Sequence, residues 1–211
     1  MLAFIVLFVL CILAIYQVMV DKSEYGFGRS KVTEISHYWI PLRDGVRLSA
    51  RIWVPDGRSH QTFSSPFASF NSVITGALIL GEGEDLGDDE KFPAILEYLP
   101  YCKDLVTASR DHARHPWFAS HGFVLLRVEI RGTGASEGHY YGEYLPQEQQ
   151  DCSEVLAWVA AQSWSNGRVG MYGKSWGGFN GLQQAFVEGT GSPLATAVSL
   201  YSTDDRLIIS N

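Results

Sequence analysis

The sequence predicts an α/β fold built on a mostly parallel sheet with an antiparallel hairpin at its N-terminal edge. Three observations carry that prediction. From residue 92 onward, apolar runs of strand length alternate with runs of helical spacing, the pattern of a parallel sheet covered on both faces. Further upstream, Asp44-Gly45 stands between two runs of β-branched and aromatic residues, a strong hairpin signal. Finally, Gly173-Lys174-Ser175-Trp176-Gly177 fits G-x-S-x-G and joins a short strand run to a helical one.

Each element follows in order. The segment 37–57 reads as two strands around Arg43-Asp44-Gly45, the second ended by Pro55-Asp56-Gly57. Residues 92–100, FPAILEYLP, make an apolar run bounded by prolines and suit a buried strand. Residues 105–122 predict a helix interrupted near Pro116. Residues 123–130, FVLLRVEI, give the next buried strand, and 131–144 a glycine-rich loop. In 145–162, apolar residues at 152, 155, 156 and 159 keep helical spacing. A strand over 167–173, a helix over 176–189 and a strand over 194–202 complete the series.

Composition bounds the rest. With 211 residues, 46% hydrophobic and 18% charged, the chain can bury one ordinary core. A net charge of −7 without a basic run argues against nucleic acid as a partner. The three cysteines, Cys11, Cys102 and Cys152, make no disulfide framework and no zinc-type pair, leaving one conceivable Cys102–Cys152 bridge. Residues 1–20 carry no charged side chain and are long enough to cross a bilayer, which needs about 20 apolar residues. An uncleaved anchor and an atypical signal peptide both fit, so membrane-anchored or secreted placement is expected. Residues 21–34 read as a linker and 58–91 as an atypical insertion, whose acidic run lacks calcium-loop spacing.

A strand-to-helix reversal at Ser175 forces the serine into strained backbone angles and wants glycine at 173 and 177. It also sets the hydroxyl at a helix N-terminus, where the Trp176 N–H would stabilise an oxyanion. Tyr101 follows Pro100 at the C-terminal end of a buried strand, where such sheets bind ligands. Taken alone, it reads better as a packing aromatic.

With these residues in place, the chain resembles the cocaine esterase / X-Pro dipeptidyl-peptidase family of α/β-hydrolases. The matching stretches are WIPLRDGVRLSARIWVPDG, PAILEYLPYCK, HPWFASHGFVLLRVEIRGTGASEG, NGRVGMYGKSWGGFNGLQQA and YSTDDR, which cover most of 37–206 outside the insertion. The resemblance implies that Ser175 is the nucleophile and that the Tyr101 hydroxyl is the second oxyanion donor. It implies cleavage of a small-molecule ester or an Xaa-Pro-type peptide amide through an acyl-enzyme, with no metal or organic cofactor. Glu129-Ile130-Arg131-Gly132-Thr133-Gly134 resembles the family's strand-end D-x-R-G-x-G with Glu for Asp. It reads as a structural turn with a buried Arg–carboxylate pair.

A triad in such folds runs Ser, then acid, then His. All six histidines, at 37, 60, 112, 115, 121 and 139, precede Ser175, and the later acids are Glu188, Asp204 and Asp205. In the family, YSTDDR opens a helical insertion, which makes Asp204 and Asp205 structural. His139 lies in the loop after the strand at 123–130, on a side of the sheet from which it could approach the site, and His112 and His115 with Asp111 invite a metal reading, but none is expected to serve as base. Residues 35–211 are therefore expected to be the N-terminal part of a catalytic domain whose C-terminal part is missing. The alternative expectation is a catalytically silent fragment with a binding role or none. Oligomeric state is not readable from the sequence.

Overall fold

The computed structural model describes residues 32–55 and 91–203. Strands β1 (Val32–Pro41) and β2 (Arg47–Pro55) form the predicted hairpin. Its turn is closed by the Leu42 N–H donating to the Val46 carbonyl at 2.8 Å, with Gly45 at φ 87° and Asp44 Oδ1 accepting the Val46 N–H. β1 begins at Val32, inside the stretch read as a linker. Its Glu34 accepts the Trp53 indole N–H at 2.9 Å and pairs with Arg51, so polar residues there still belong to the sheet. The apolar segment 1–20, the insertion at 58–90, and Asp204 and Asp205 lie outside the described residues. Among the described residues no helix is long and apolar enough to cross a membrane.

The remaining elements are β3 (Phe92–Leu99), α1 (Ala108–Ala119), β4 (Val124–Glu129), α2 (Pro146–Ala160), β5 (Ser165–Lys174), α3 (Trp176–Val187) and β6 (Leu194–Leu200). They build one six-stranded sheet in the order β1-β2-β4-β3-β5-β6. β2 pairs antiparallel with β4, and every later pairing is parallel. The C-terminal ends of β3, β4, β5 and β6 therefore share one edge.

Strand alternation sorts side chains to two faces. Ile52, Leu96 and Leu126, aligned across β2, β3 and β4, pack toward α2 through Val155, Leu156 and Val159. Trp53, Ile95 and Leu125 pack on the other face with Ala119 and Phe118 of α1. On that second face lie Arg51, Glu97 and Arg127, which no apolar helix face would cover cheaply. α1 answers with Asp111 and His115, both buried, and with Arg110 and Arg114. Arg127 Nε reaches Asp111 at 3.2 Å, and Arg110 Nη2 reaches Glu97 at 2.9 Å and Asp111 at 2.7 Å.

The predicted break at Pro116 does not occur, and α1 runs through it. An interior proline costs about 3 kcal/mol and one backbone hydrogen bond. The ion-pair contacts of Arg110, Asp111, Arg114 and His115 before it, and the apolar packing of Phe118 and Ala119 after it, hold the helix regardless. The conceivable Cys102–Cys152 bridge is also absent. Cys102 lies in the loop after β3, while Cys152 is buried on α2 with its Sγ 3.9 Å from Met171 Sδ, and both thiols are free.

Candidate active site

Ser175 stands between β5 and α3 with φ 55° and ψ −116°, the strained geometry expected of the turn. The glycines beside it are sterically required. A Cβ on Gly173 would lie 2.3 Å from the Gly177 carbonyl carbon, and one on Gly177 would lie 2.7 Å from Leu99 Cδ2. Ser175 donates its own N–H to the Leu200 carbonyl of β6 at 2.8 Å, so that N–H is spent on the fold. Its side chain makes no cap to the helix and is exposed. Trp176, the first residue of α3, has no carbonyl one turn back to receive its N–H.

Tyr101 lies just past β3, on the strand next to β5, so the structure brings it to the same sheet edge as Ser175. Its ring is 39% exposed, which departs from a packed core aromatic. The loop that carries it is pinned from below. Arg127 Nη2 donates to the Tyr101 carbonyl at 2.5 Å, and the Lys103 N–H donates to Glu129 Oε1 at 2.6 Å. Glu129 also accepts the Ala135 N–H at 2.8 Å and lies 3.5 Å from buried Lys103 Nζ. One buried carboxylate thus ties the Tyr101 loop to the glycine-rich loop after β4. In that loop Arg131 pairs bidentately with buried Asp151, at 2.7 and 2.8 Å, and with Asp44. The structural-turn reading of the Arg131 motif therefore describes what Arg131 does, and Glu129 pairs with Lys103 instead.

The histidines are engaged elsewhere. His37 lies near Ser49 and edges Trp39, and His121 stacks on Trp117. His112 turns toward Arg51 and Glu34, away from its helical neighbour His115. His115 is buried against Trp53 with Nε2 3.2 Å from Glu97, although neither ring nitrogen makes a well-directed hydrogen bond. His139 stacks on Tyr141 in the loop after β4. Among the described residues, no hydrogen bond joins a histidine to Ser175. His60 lies outside them.

Glu97, Asp111 and His115 bring ligand-type atoms within 4.8 Å of one another. The carboxylates already face guanidinium groups of Arg110, Arg114 and Arg127, which occupy the space and the charge that a cation would need. Burial alone would push the Glu97 carboxyl up, but His115, Arg110 and Arg127 hold it below its ordinary value. Of the acids after Ser175, Glu188 sits at the far end of α3 and receives Gln184 and Ser192. A helix of that length separates it from Ser175 by about 18 Å.

One site residue escaped the sequence reading. Glu148, in the first turn of α2, is buried and accepts the Trp176 indole N–H at 2.8 Å and the Tyr144 N–H at 2.9 Å. Burial raises its carboxyl above the ordinary value, against the lowering effect of hydrogen bonds from Trp176, Asn180 and Tyr144. The signal was available: Glu148 stands four residues before Cys152, on the apolar stripe of its helix.

Comparison with known proteins bears on the family and the fold. The family model described as X-Pro dipeptidyl-peptidase (S15 family) matches residues 87–207. Cocaine esterase of Rhodococcus sp. (strain MB1 Bresler) is 29% identical over 172 residues, which are 80% of this chain and 24% of that protein. The chain spans about a quarter of the length of the curated relatives it matches. Among solved structures, a CocE/NonD family hydrolase from Staphylococcus aureus superposes with a TM-score of 0.52 at 19% identity, over 75% of this chain and 29% of the other. An alpha-amino acid ester hydrolase does so with a TM-score of 0.51 at 22% identity, over 82% and 25%. These structural likenesses give the fold, α/β-hydrolase. The match of the family model over 87–207 places the chain in the X-Pro dipeptidyl-peptidase (S15) family of hydrolases.

Proposed function

We propose that this chain carries the nucleophile and the oxyanion side of a serine hydrolase acting on carboxylic esters or Xaa-Pro-type amides. The observation that supports it most is the left-handed Ser175 between two glycines, of which Gly173 has backbone where a Cβ would stand and Gly177 the end of Leu99. Ser175 Oγ would attack the substrate carbonyl carbon as its proton passes to a general base. The carbonyl oxygen would then become an oxyanion held by the Trp176 N–H and the Tyr101 hydroxyl. Collapse of that intermediate would expel the alcohol or amine, taking a proton from the base, and leave an acyl-serine for water to hydrolyse.

No described histidine is placed for the base, so we infer that it comes from residues outside those described. The ester-or-amide choice rests on the relatives, among them a cocaine esterase and an alpha-amino acid ester hydrolase. The test is fluorophosphonate labelling of the protein in its native source, followed with an antibody to residues 32–55. Labelling is expected in the wild type and not in Ser175→Ala. Tyr101→Phe should slow it by about a hundredfold, the usual effect of removing one oxyanion donor. An unlabelled wild type would instead support the catalytically silent reading.

A further inference from the structure

We propose that Glu148 is a positioning residue for the elbow, fixing Trp176 by its indole N–H and through it the backbone that follows Ser175. The inference rests on the reading of Ser175 and Trp176 as nucleophile and oxyanion donor. Glu148 meets the elbow on one side and the glycine-rich loop on the other. Its Oε1 lies 2.8 Å from Trp176 Nε1 and its Oε2 2.9 Å from the Tyr144 N–H. Tyr144 is itself left-handed, φ 54°, and its ring packs on Trp176 at 4.8 Å and on Phe179 at 5.5 Å. The Glu148 carbonyl receives the Tyr98 hydroxyl of β3 at 3.3 Å. The first turn of α2, the start of α3 and β3 therefore meet at this residue.

The choice of a carboxylate is informative. Glu148 is only 7% exposed, and no cation in the described residues pairs with it, so its burial is costly. Two N–H donors converging on one side chain need a group that only accepts. A glutamine would turn its own NH2 toward one of them. The carboxylate satisfies both donors at once and so locks the tryptophan that begins α3. Small displacements matter here, because about 1 Å at a reacting group costs about a hundredfold in rate.

The test compares wild type, Glu148→Gln, Trp176→Phe and the double variant of the full chain, each first shown to keep its circular dichroism spectrum. Nitrogen-15 spectra report the Trp176 indole and backbone amide, with the indole resonance assigned by its loss in Trp176→Phe. In Glu148→Gln, both resonances are expected to move and indole exchange to quicken at least tenfold. Fluorophosphonate labelling at Ser175 should slow about tenfold or more. The double variant should be no slower than Trp176→Phe alone, since both changes remove one contact. An unmoved backbone amide, or additive losses in the double variant, would overturn the proposal and leave Glu148 a packing residue. If no variant labels at all, including wild type, the catalytically silent reading is supported. The amide shift then decides the positioning role by itself.

Discussion

A serine held at φ 55° is strained in a way that a glycine is not, and Ser175 accepts this without a side-chain hydrogen bond to the helix it starts. Ser175→Gly should therefore raise stability while abolishing fluorophosphonate labelling. Relief of about 1–2 kcal/mol of backbone strain, less the entropy of a glycine, leaves a net gain of about 1 kcal/mol. That corresponds to about 3 °C in a thermal melt. Ser175→Ala should lose the labelling with no such gain. The neighbouring glycines predict the reverse. Gly173→Ala meets backbone at 2.3 Å and should cost about 3 kcal/mol, whereas Gly177→Ala meets the end of Leu99 and should cost less, both read from urea midpoints. Ser175 and its glycines were legible because a turn of this geometry dictates residue types at fixed offsets. Glu148 was harder to see, because a carboxylate on an apolar stripe means nothing until its donors, Trp176 and Tyr144, are brought from elsewhere in the chain.

Among the elements, the strands β3 and β4 show where pattern reading succeeds and where it stops. Both were legible as buried strands, yet each carries charges, Glu97 on one and Arg127 and Glu129 on the other. Glu97 and Arg127 are explained by α1 lying across them, and Glu129 by the two loops it ties together; the packing of α1 also carries that helix through Pro116. Glu97 offers a pH test. Its folded carboxyl titrates below its ordinary value, so the stability it contributes is fully present above the ordinary carboxylate pKa. That stability is lost as pH falls through the folded value. Glu97→Gln should cost about 3 kcal/mol near neutral pH by leaving Arg127 short of a buried counter-charge. The gap between variant and wild type in urea midpoint should close in acid. A gap that stays constant with pH would mean that Glu97 acts through packing alone. Because Arg127 also holds the Tyr101 carbonyl, Arg127→Met should disturb the Tyr101 loop as well as stability.

For the molecule as a whole, the sheet order was the least legible feature, since parallel neighbours such as β3 and β5 meet across long stretches of sequence. The resulting surface has a consequence for solution behaviour. An apolar cleft of about 460 Å3 opens on the α1 face, between Phe118 and Phe123 on one side and Met171, Tyr172 and Val198 on the other. Beside it runs β6, the edge strand of the described sheet, with Val198 48% and Leu200 41% exposed. Exposed apolar edges of this kind recruit other chains. The 211-residue chain is expected to bind the dye ANS under native conditions and to self-associate as concentration rises, by light scattering. Val198→Lys should weaken both, and an unchanged dye signal would place the apolar surface elsewhere.

The hydrogen bond from the Ser175 N–H to the Leu200 carbonyl also sets an order in time. The strained turn is closed by a strand that leaves the ribosome after it. At about 5–20 residues per second, the stretch from 175 to 200 takes seconds to appear. Through that interval the turn lacks this hydrogen bond. If Ser175 is the nucleophile proposed above, a nascent chain would carry it without that restraint until β6 has been laid down.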